Sequence, residues 1–172
     1  MKEFLFRLYV KIRAFLNPVR EPLSKEWNEW MAKDLQSFSN ELSTYRYLPD
    51  PGKGLFDYTA SFEHFIDRNV REGRDCDDFA RMWFWWGICN GYRAYEVAIT
   101  TRAHLFRDSH VVTVLEKDGT FTLCNYKSYP CRNTFLKALD QIKHFSPCYK
   151  AGYLHRIMAV DPPLETKEAS IG

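Results

Sequence analysis

The sequence predicts an α+β domain, with helices in its first half and a small antiparallel sheet after them. Up to residue 90, apolar residues recur every three or four positions, which is the period of helices packed along one face. From residue 95 the pattern changes to alternation, and Asp118-Gly119 separates two alternating segments as a two-residue hairpin turn does. A chain of 172 residues, 45% of them hydrophobic, is long enough for one domain with its own core.

Composition excludes several classes of protein. A net charge of +2 gives no reason to expect a nucleic-acid partner. The five cysteines include no CxxC pair, so we expect reduced thiols in a cytoplasmic protein, without a disulfide framework or a zinc site. No apolar run approaches the ~18 residues of a membrane span. The N-terminus is interrupted by Arg7, Lys11 and Arg13 and is therefore unlike a secretory signal.

We expect one domain over residues 1–160, followed by a flexible tail over 161–172, and we leave its oligomeric state open. Within the domain, residues 1–17 form an N-terminal amphipathic helix that Asn17-Pro18 ends. Apolar residues recur there at helical spacing: Phe4, Leu8, Ile12, Phe15 and Leu16. Residues 1–20 contain five Lys/Arg and one Glu. Such a helix either docks on its own domain or contacts a membrane through residues 3–16, and we expect docking.

Apolar spacing predicts the other elements. A helix is expected from about Ser24 to Tyr45, a loop over 49–54, and a short helix near 60–71 that ends before Gly73. The next helix, over 76–90, is apolar nearly all round and should be the buried centre of the domain. Small residues on one of its stripes, Ala80 and Gly87, would let a sheet approach closely. A further helix near 134–144 and a strand over 153–160 follow.

Cys76 is placed at the start of the central helix. Asp75 is a residue type favoured at the N-cap, and Asp78 lies three residues later, as in a capping box with Asp in place of Glu or Gln. The partial positive charge of a helix N-terminus favours a thiolate over a thiol. The alternative is a buried structural cysteine beside an ordinary cap. The other four cysteines are expected to be inert.

The predicted hairpin brings a histidine and an asparagine together. If Asp118-Gly119 is a two-residue turn, Lys117 pairs with Thr120, and the same register sets Asn125 diagonally across from His110. An amide beside an imidazole can hold the ring and fix its tautomer. The alternative is a polar pair at the solvated end of a hairpin, and a slip of one residue would abolish the relation.

A capped cysteine, a histidine that opens a strand and an asparagine on the partner strand are the groups that a thiol nucleophile needs. The segment Gly-x-Asp-Cys-Asp-Asp-Phe-Ala, the later His-Val-Val-Thr-Val and the strand-borne Asn125 resemble transglutaminase-like cysteine peptidases of the papain-like superfamily, over about residues 55–127. The resemblance implies a papain-like core, with the nucleophile helix packed on a small antiparallel sheet. It also implies the catalytic set Cys76, His110 and Asn125. Many members of the family have Asp at the third position.

We therefore predict a cysteine hydrolase that cleaves an amide, foremost a peptide bond, in a protein or peptide substrate through a Cys76 thioester. Acyl transfer to an amine by the same intermediate and a non-catalytic binding module on the same fold are the alternatives. No cofactor is expected. Some relatives bind calcium beside the acidic motif, so the resemblance makes Asp75 and Asp78 candidate calcium ligands, with simple helix capping as the other interpretation.

Overall fold

The computed structural model describes residues 24–48, 60–100, 110–144 and 157–161, together with residues 4, 5, 8, 9 and 12. Helices precede a small antiparallel sheet, so the predicted α+β class is confirmed. The elements in order are α1 (Lys25–Met31), α2 (Leu35–Ser43), α3 (Phe62–Ile66), α4 (Cys76–Cys89), β1 (Arg93–Thr100), β2 (His110–Lys117), β3 (Thr120–Cys124), α5 (Phe135–Leu139), a 3-10 helix (Asp140–His144) and β4 (Ile157–Asp161). The predicted loop over 49–54 and residues 162–172 of the predicted tail lie outside the described residues.

The prediction of one helix from Ser24 to Tyr45 is wrong, because the chain turns between α1 and α2. Ser24 caps α1, and Asp34 caps α2 by accepting hydrogen bonds from the backbone N–H and hydroxyl of Ser37. Carbonyl groups at the break accept hydrogen bonds from α4, from Trp86 Nε1 to Lys33 at 2.9 Å and from Asn90 Nδ2 to Met31 at 2.9 Å. The apolar period continues across the break because both helices pack on the same core.

The short helix before Gly73 is also shorter than predicted. It ends at Ile66, because the Asp67 side chain accepts from the backbone N–H of Asn69 and turns the chain. Gly73 has a positive φ of 72° just before the motif. By contrast, α4 agrees with its predicted bounds to within one residue, ending at Cys89 with Asn90 as its C-cap.

The sheet has the strand order β3-β2-β1-β4 with every neighbouring pair antiparallel. The predicted hairpin register is confirmed: Lys117 pairs with Thr120, and the ladder continues to Thr113 opposite Cys124. Asp118 and Gly119 both have positive φ, 52° and 72°, as a type I′ turn requires. Because this register is regular, the strand residues that share each face of the sheet are also fixed.

The two faces of the sheet carry different cores. On one face, Ala94 and Leu115 join a cluster dominated by aromatic residues of α1, α2 and α4, with Trp83 and Phe38 among the fully buried members. On the other face, Val112, Val114 and Leu123 pack with aliphatic residues of α5 and the 3-10 helix. The central position predicted for α4 is therefore confirmed.

The C-terminal elements differ in detail from the predictions. The helix expected near 134–144 is a short α5 continued by a 3-10 helix. β4 (Ile157–Asp161) extends to the residue at which the tail was predicted to begin, and residues 153–156 of the predicted strand lie outside the described residues. None of the described helices is long and apolar enough to cross a membrane. No disulfide joins Cys76, Cys89, Cys124 and Cys131, the cysteines within the described residues.

Candidate functional site

Cys76 is the first residue of α4 and is half-buried. Its position is fixed by the capping box: Asp75 caps the helix, and the Asp78 carboxylate accepts from the Asp75 backbone N–H at 2.8 Å. Arg74, the residue before the cap, is also held in place, because Arg74 and Leu48 exchange two backbone hydrogen bonds of 2.8 Å. The predicted cap is thus confirmed, and the thiol lies at the positive end of a 14-residue helix.

Three carboxylates surround this thiol, and they are arranged differently. Asp78 is buried and accepts two backbone hydrogen bonds, one from Ala60 at 2.6 Å and one from Asp75. The ligand atoms of Asp75, Cys76 and Asp77 all lie within 4.8 Å of one another. Asp78 therefore acts as a structural cap, while Asp75 and Asp77 bring negative charge close to the sulfur. Calcium binding by Asp75 and Asp78 stays a prediction.

Polar contacts hold the first half of α4 on the sheet. Arg81 forms a two-pronged ion pair with Glu96 of β1, with Nε–Oε1 and NH2–Oε2 distances of 2.5 and 2.9 Å. The Thr113 hydroxyl donates to the Ala80 carbonyl at 2.6 Å in a fully buried site. These contacts fix the distance and rotation of α4 relative to β1 and β2.

The direction of α4 sets the end of the sheet at which Cys76 lies. Ala80 meets Thr113, and Gly87, seven residues further along the helix, meets Leu115. The start of α4 therefore lies toward the start of β2, where His110 is the first residue, and toward the end of β3, which Asn125 follows. Cys76, His110 and Asn125 are thus at one end of the sheet.

His110 and Asn125 are adjacent, as the register predicted. Burial lowers the pKa of His110 to about 4, and a hydrogen bond that the protonated ring donates to the Asn125 amide oxygen raises this pKa in partial opposition. The Asn125 amide is buried, and its two polar atoms reach no partner in well-formed geometry among the described residues, so its bond to the ring is loosely aligned. The His110 residue keeps some exposed surface even though its Nε2 atom is buried.

Tyr126 is a site residue that sequence reasoning missed. Its ring packs on Phe79 with centroids 4.5 Å apart, and Phe79 lies one turn after Cys76 on α4. Burial and then the nearby Cys76 thiol raise the pKa of Tyr126 well above its usual range. Strand alternation alone puts Tyr126 and Cys124 on one face, but only the packing of α4 identifies that face as the one nearest the thiol.

A tight turn holds Asn125 and Tyr126 in place. The Asn125 backbone N–H donates to the Lys127 carbonyl at 3.0 Å, and Cys124 and Ser128 form an isolated antiparallel β-bridge. The Ser128 backbone N–H donates to the Ser39 hydroxyl of α2. Of the two neighbouring residues in this turn, Asn125 therefore lies beside His110 and Tyr126 packs on the first turn of α4. In the regular ladder His110 shares the face of Val112, which packs on α5 rather than on α4, and contact between His110 and Cys76 stays a prediction.

No protein-family model matches the chain, and neither a curated protein nor a solved structure is significantly similar to it. The resemblance to transglutaminase-like peptidases therefore rests on the motif residues themselves.

Proposed function

We propose that the protein is a cysteine hydrolase with a papain-like core, in which Cys76 attacks an amide carbonyl, His110 transfers protons and Asn125 orients the histidine. The observation that carries this proposal is the location of a half-buried thiol at a capped helix start, at the same end of the sheet as a contacting His-Asn pair. A protein or peptide is the proposed substrate class, and water is the proposed acceptor.

The reaction follows from the chemistry of these groups. The thiol proton passes to His110 as sulfur attacks the carbonyl carbon, and the carbonyl electrons move to oxygen. When the C–N bond breaks, the leaving amine takes the proton from the imidazolium, and a thioester remains. Water, deprotonated by His110, then attacks the thioester carbon. The C–S bond breaks, the acyl group leaves as a carboxylic acid, and the Cys76 sulfur takes the proton back from the imidazolium. Because burial lowers the pKa of His110 to about 4, the imidazole is neutral near pH 7 and can accept the thiol proton during attack.

Tyr126 is the proposed hydrogen-bond donor to the oxygen that becomes negative. Its ring packs on Phe79, which lies one turn after Cys76 on α4. The neighbouring residue, Asn125, contacts His110. A donor must stay protonated while the thiolate acts, and burial together with Cys76 holds the pKa of Tyr126 well above neutral pH. The Cys76 backbone N–H, which begins the helix, is the proposed second donor.

Acylation by an activated thioester tests the nucleophile without knowledge of the substrate. Wild-type protein should gain the acyl group on Cys76, as mapped by mass spectrometry, and Cys76→Ala should not. Cys89→Ala is the matched control because it makes the same change on the same helix. His110→Ala should slow acylation by about 10²–10⁴-fold, and His64→Ala should not. Acylation of wild type at other cysteines alone would contradict the proposal.

The acceptor is tested with a peptide library and a labelled primary amine. New peptide termini that require Cys76 would support hydrolysis. Amine incorporation that requires Cys76, without new termini, would instead indicate a transferase. Neither product, with retention of the same peptides by wild type and Cys76→Ala, would indicate a binding module and refute the enzyme.

Two reactions of the same thiol test Tyr126 separately. Acylation passes through an oxyanion, whereas alkylation by iodoacetamide does not. Tyr126→Phe should therefore slow acylation by about 10²-fold or more and leave alkylation unchanged. Tyr92→Phe is the control, since its ring packs on Trp86 at the other end of α4. Equal slowing of both reactions would assign Tyr126 to the thiol rather than to the oxyanion.

A further inference from the structure

The described residues of the N-terminal segment have exposed apolar side chains, and they include Phe4, Leu8 and Ile12 of the face expected to dock on the domain. Seven large hydrophobic residues are exposed in the part of the chain that the structure describes, and five of them lie in this segment. They are helical, and their exposed fractions are 68% for Phe4, 48% for Leu5, 42% for Leu8, 39% for Tyr9 and 49% for Ile12.

These five residues share one side of the helix. Their spacing is i, i+1, i+4, i+5 and i+8, which at 100° per residue spans an arc of about 140°. An apolar stripe of this width normally faces a core. The other two exposed residues, Tyr47 and Leu136, are far from each other in sequence and are ordinary isolated positions. The five residues therefore form an exposed apolar stripe, which we expect to pack against a binding partner.

Charge identifies the kind of partner that would cover it. Residues 1–20 contain five Lys/Arg and one Glu, a net charge of +4, whereas the remaining residues contain 19 Lys/Arg and 21 Asp/Glu, a net charge of −2. The positive charge of the chain is thus concentrated in the same sequence segment as the apolar stripe. An anionic bilayer offers both an apolar layer and a negative surface, and a helix lying in the interface uses both.

We propose that the helix containing Phe4, Leu8 and Ile12 binds the surface of anionic lipid bilayers, with its apolar stripe at the boundary between headgroups and acyl chains. Its basic residues stay among the headgroups, where long Lys and Arg side chains can extend toward water. This binding would hold the domain at a membrane surface and does not depend on the activity proposed for Cys76.

Vesicle flotation of the full chain tests the proposal. Binding should occur to vesicles of equal parts phosphatidylcholine and phosphatidylserine, and be much weaker to phosphatidylcholine alone. Raising the salt from about 0.1 M to about 1 M shortens the Debye length from about 10 Å to about 3 Å and should release the protein. Removing Arg7 or Lys11 by substitution with Ala should weaken binding about fivefold each.

A matched pair of leucines separates lipid binding from other roles of the helix. Leu8→Glu should weaken vesicle binding at least about tenfold, whereas Leu136→Glu, the same change at an exposed leucine elsewhere, should not. Far-UV circular dichroism and thermal unfolding check that both variants fold. Failure of wild type to bind anionic vesicles would overturn the proposal. So would a concentration-dependent dimer that Leu8→Glu abolishes without any vesicle binding, because the stripe would then cover a second copy.

Discussion

The first turn of α4 carries Asp75, Asp77 and Asp78 around Cys76, whereas its last two turns carry Trp83, Trp86 and Gly87 packed in an apolar core. Hydrogen bonds and the Arg81–Glu96 ion pair fix the first half of the helix, and side-chain packing fixes the second. Each end has a cysteine. Cys76 is half-buried at the positive end, and Cys89 is exposed at the negative end.

This difference shows how one helix can belong to the core at one end and support a half-buried thiol at the other. Packing tolerates little movement at the far end, so the helix axis is fixed there. At the near end, directional contacts determine which backbone and side-chain groups face the thiol. The comparison predicts that changes at the two ends will differ in kind, through lost polar contacts at one end and through steric conflict at the other.

The largest expected effect is at the ion pair in the first half of the helix. Glu96→Ala leaves the Arg81 guanidinium without its carboxylate at a site where the Arg81 side chain is only 16% exposed. We expect a loss of about 3 kcal/mol in the free energy of unfolding, measured by urea denaturation. The double change Arg81→Met with Glu96→Leu removes both charges and should be closer to wild type. A loss below about 1 kcal/mol for Glu96→Ala would show that the pair does not hold this half.

Packing at the other end is tested at Gly87. A Cβ there would lie 2.4 Å from Leu115 Cδ2 and 3.3 Å from Ala94 Cβ, so Leu115 must move within a fully packed core. We expect Gly87→Ala to destabilise the fold by about 2 kcal/mol after the gain in helix propensity. Gly91→Ala meets no atom within 4 Å but has a φ of +73°, so it should cost only about 1 kcal/mol. Recovery of Gly87→Ala by Leu115→Val would confirm the steric cause.

Acidification should lower the free energy of unfolding through His110, which lies at the same end of the sheet as the start of α4. Because burial lowers the pKa of His110 to about 4, the unfolded chain binds a proton before the folded one as the pH falls below about 6.5. Stability is therefore full above that pH and is lost between about 6.5 and 4. The whole shift corresponds to about 3 kcal/mol, and since His110 keeps some exposed surface we expect about 1–2 kcal/mol.

The measurement compares urea unfolding of wild type and His110→Gln at pH 7 and pH 5. The variant should lose less stability between the two pH values than wild type does. His64→Gln, which changes a partly exposed histidine bound to the Glu72 carbonyl, should behave like wild type. Equal losses in wild type and His110→Gln would mean that other groups cause the pH dependence.

Local rules predicted the parts of the structure that depend on neighbouring residues. Asp118-Gly119 determines the hairpin register because two positive φ values are needed there, and Asp75 with Asp78 determines the start of α4 because their side chains bond the adjacent backbone. The turn at Asp34 could not be read from apolar spacing, which continues through it. A lone Asp followed three residues later by Ser37 was the available signal.

Contacts between distant segments were not predictable in the same way. The register of β2 and β3 put His110 and Asn125 side by side, but it did not identify which face of the sheet α4 covers. That choice depends on Ala80 and Gly87 meeting Thr113 and Leu115. Tyr126 was missed for this reason, and the Arg81–Glu96 pair was missed because neither residue has a local partner that reveals it.

The smallest expected effect on stability, and the sharpest test of the polar end, is Asp75→Asn. Asparagine caps helices about as well as aspartate, so the free energy of unfolding should change by less than about 0.5 kcal/mol, whereas Asp75→Ala should cost about 1 kcal/mol.

Asp75→Asn also removes a negative charge within 4.8 Å of the Cys76 sulfur. A like charge disfavours the thiolate, so iodoacetamide should alkylate Cys76 a few-fold faster in Asp75→Asn at neutral pH. Cys89, at the other end of α4, should react at an unchanged rate and serves as the internal reference within each sample. Slower alkylation of Cys76 in Asp75→Asn, reproduced in wild type by a calcium chelator, would instead mean that Asp75 holds a cation whose positive charge activates the thiol.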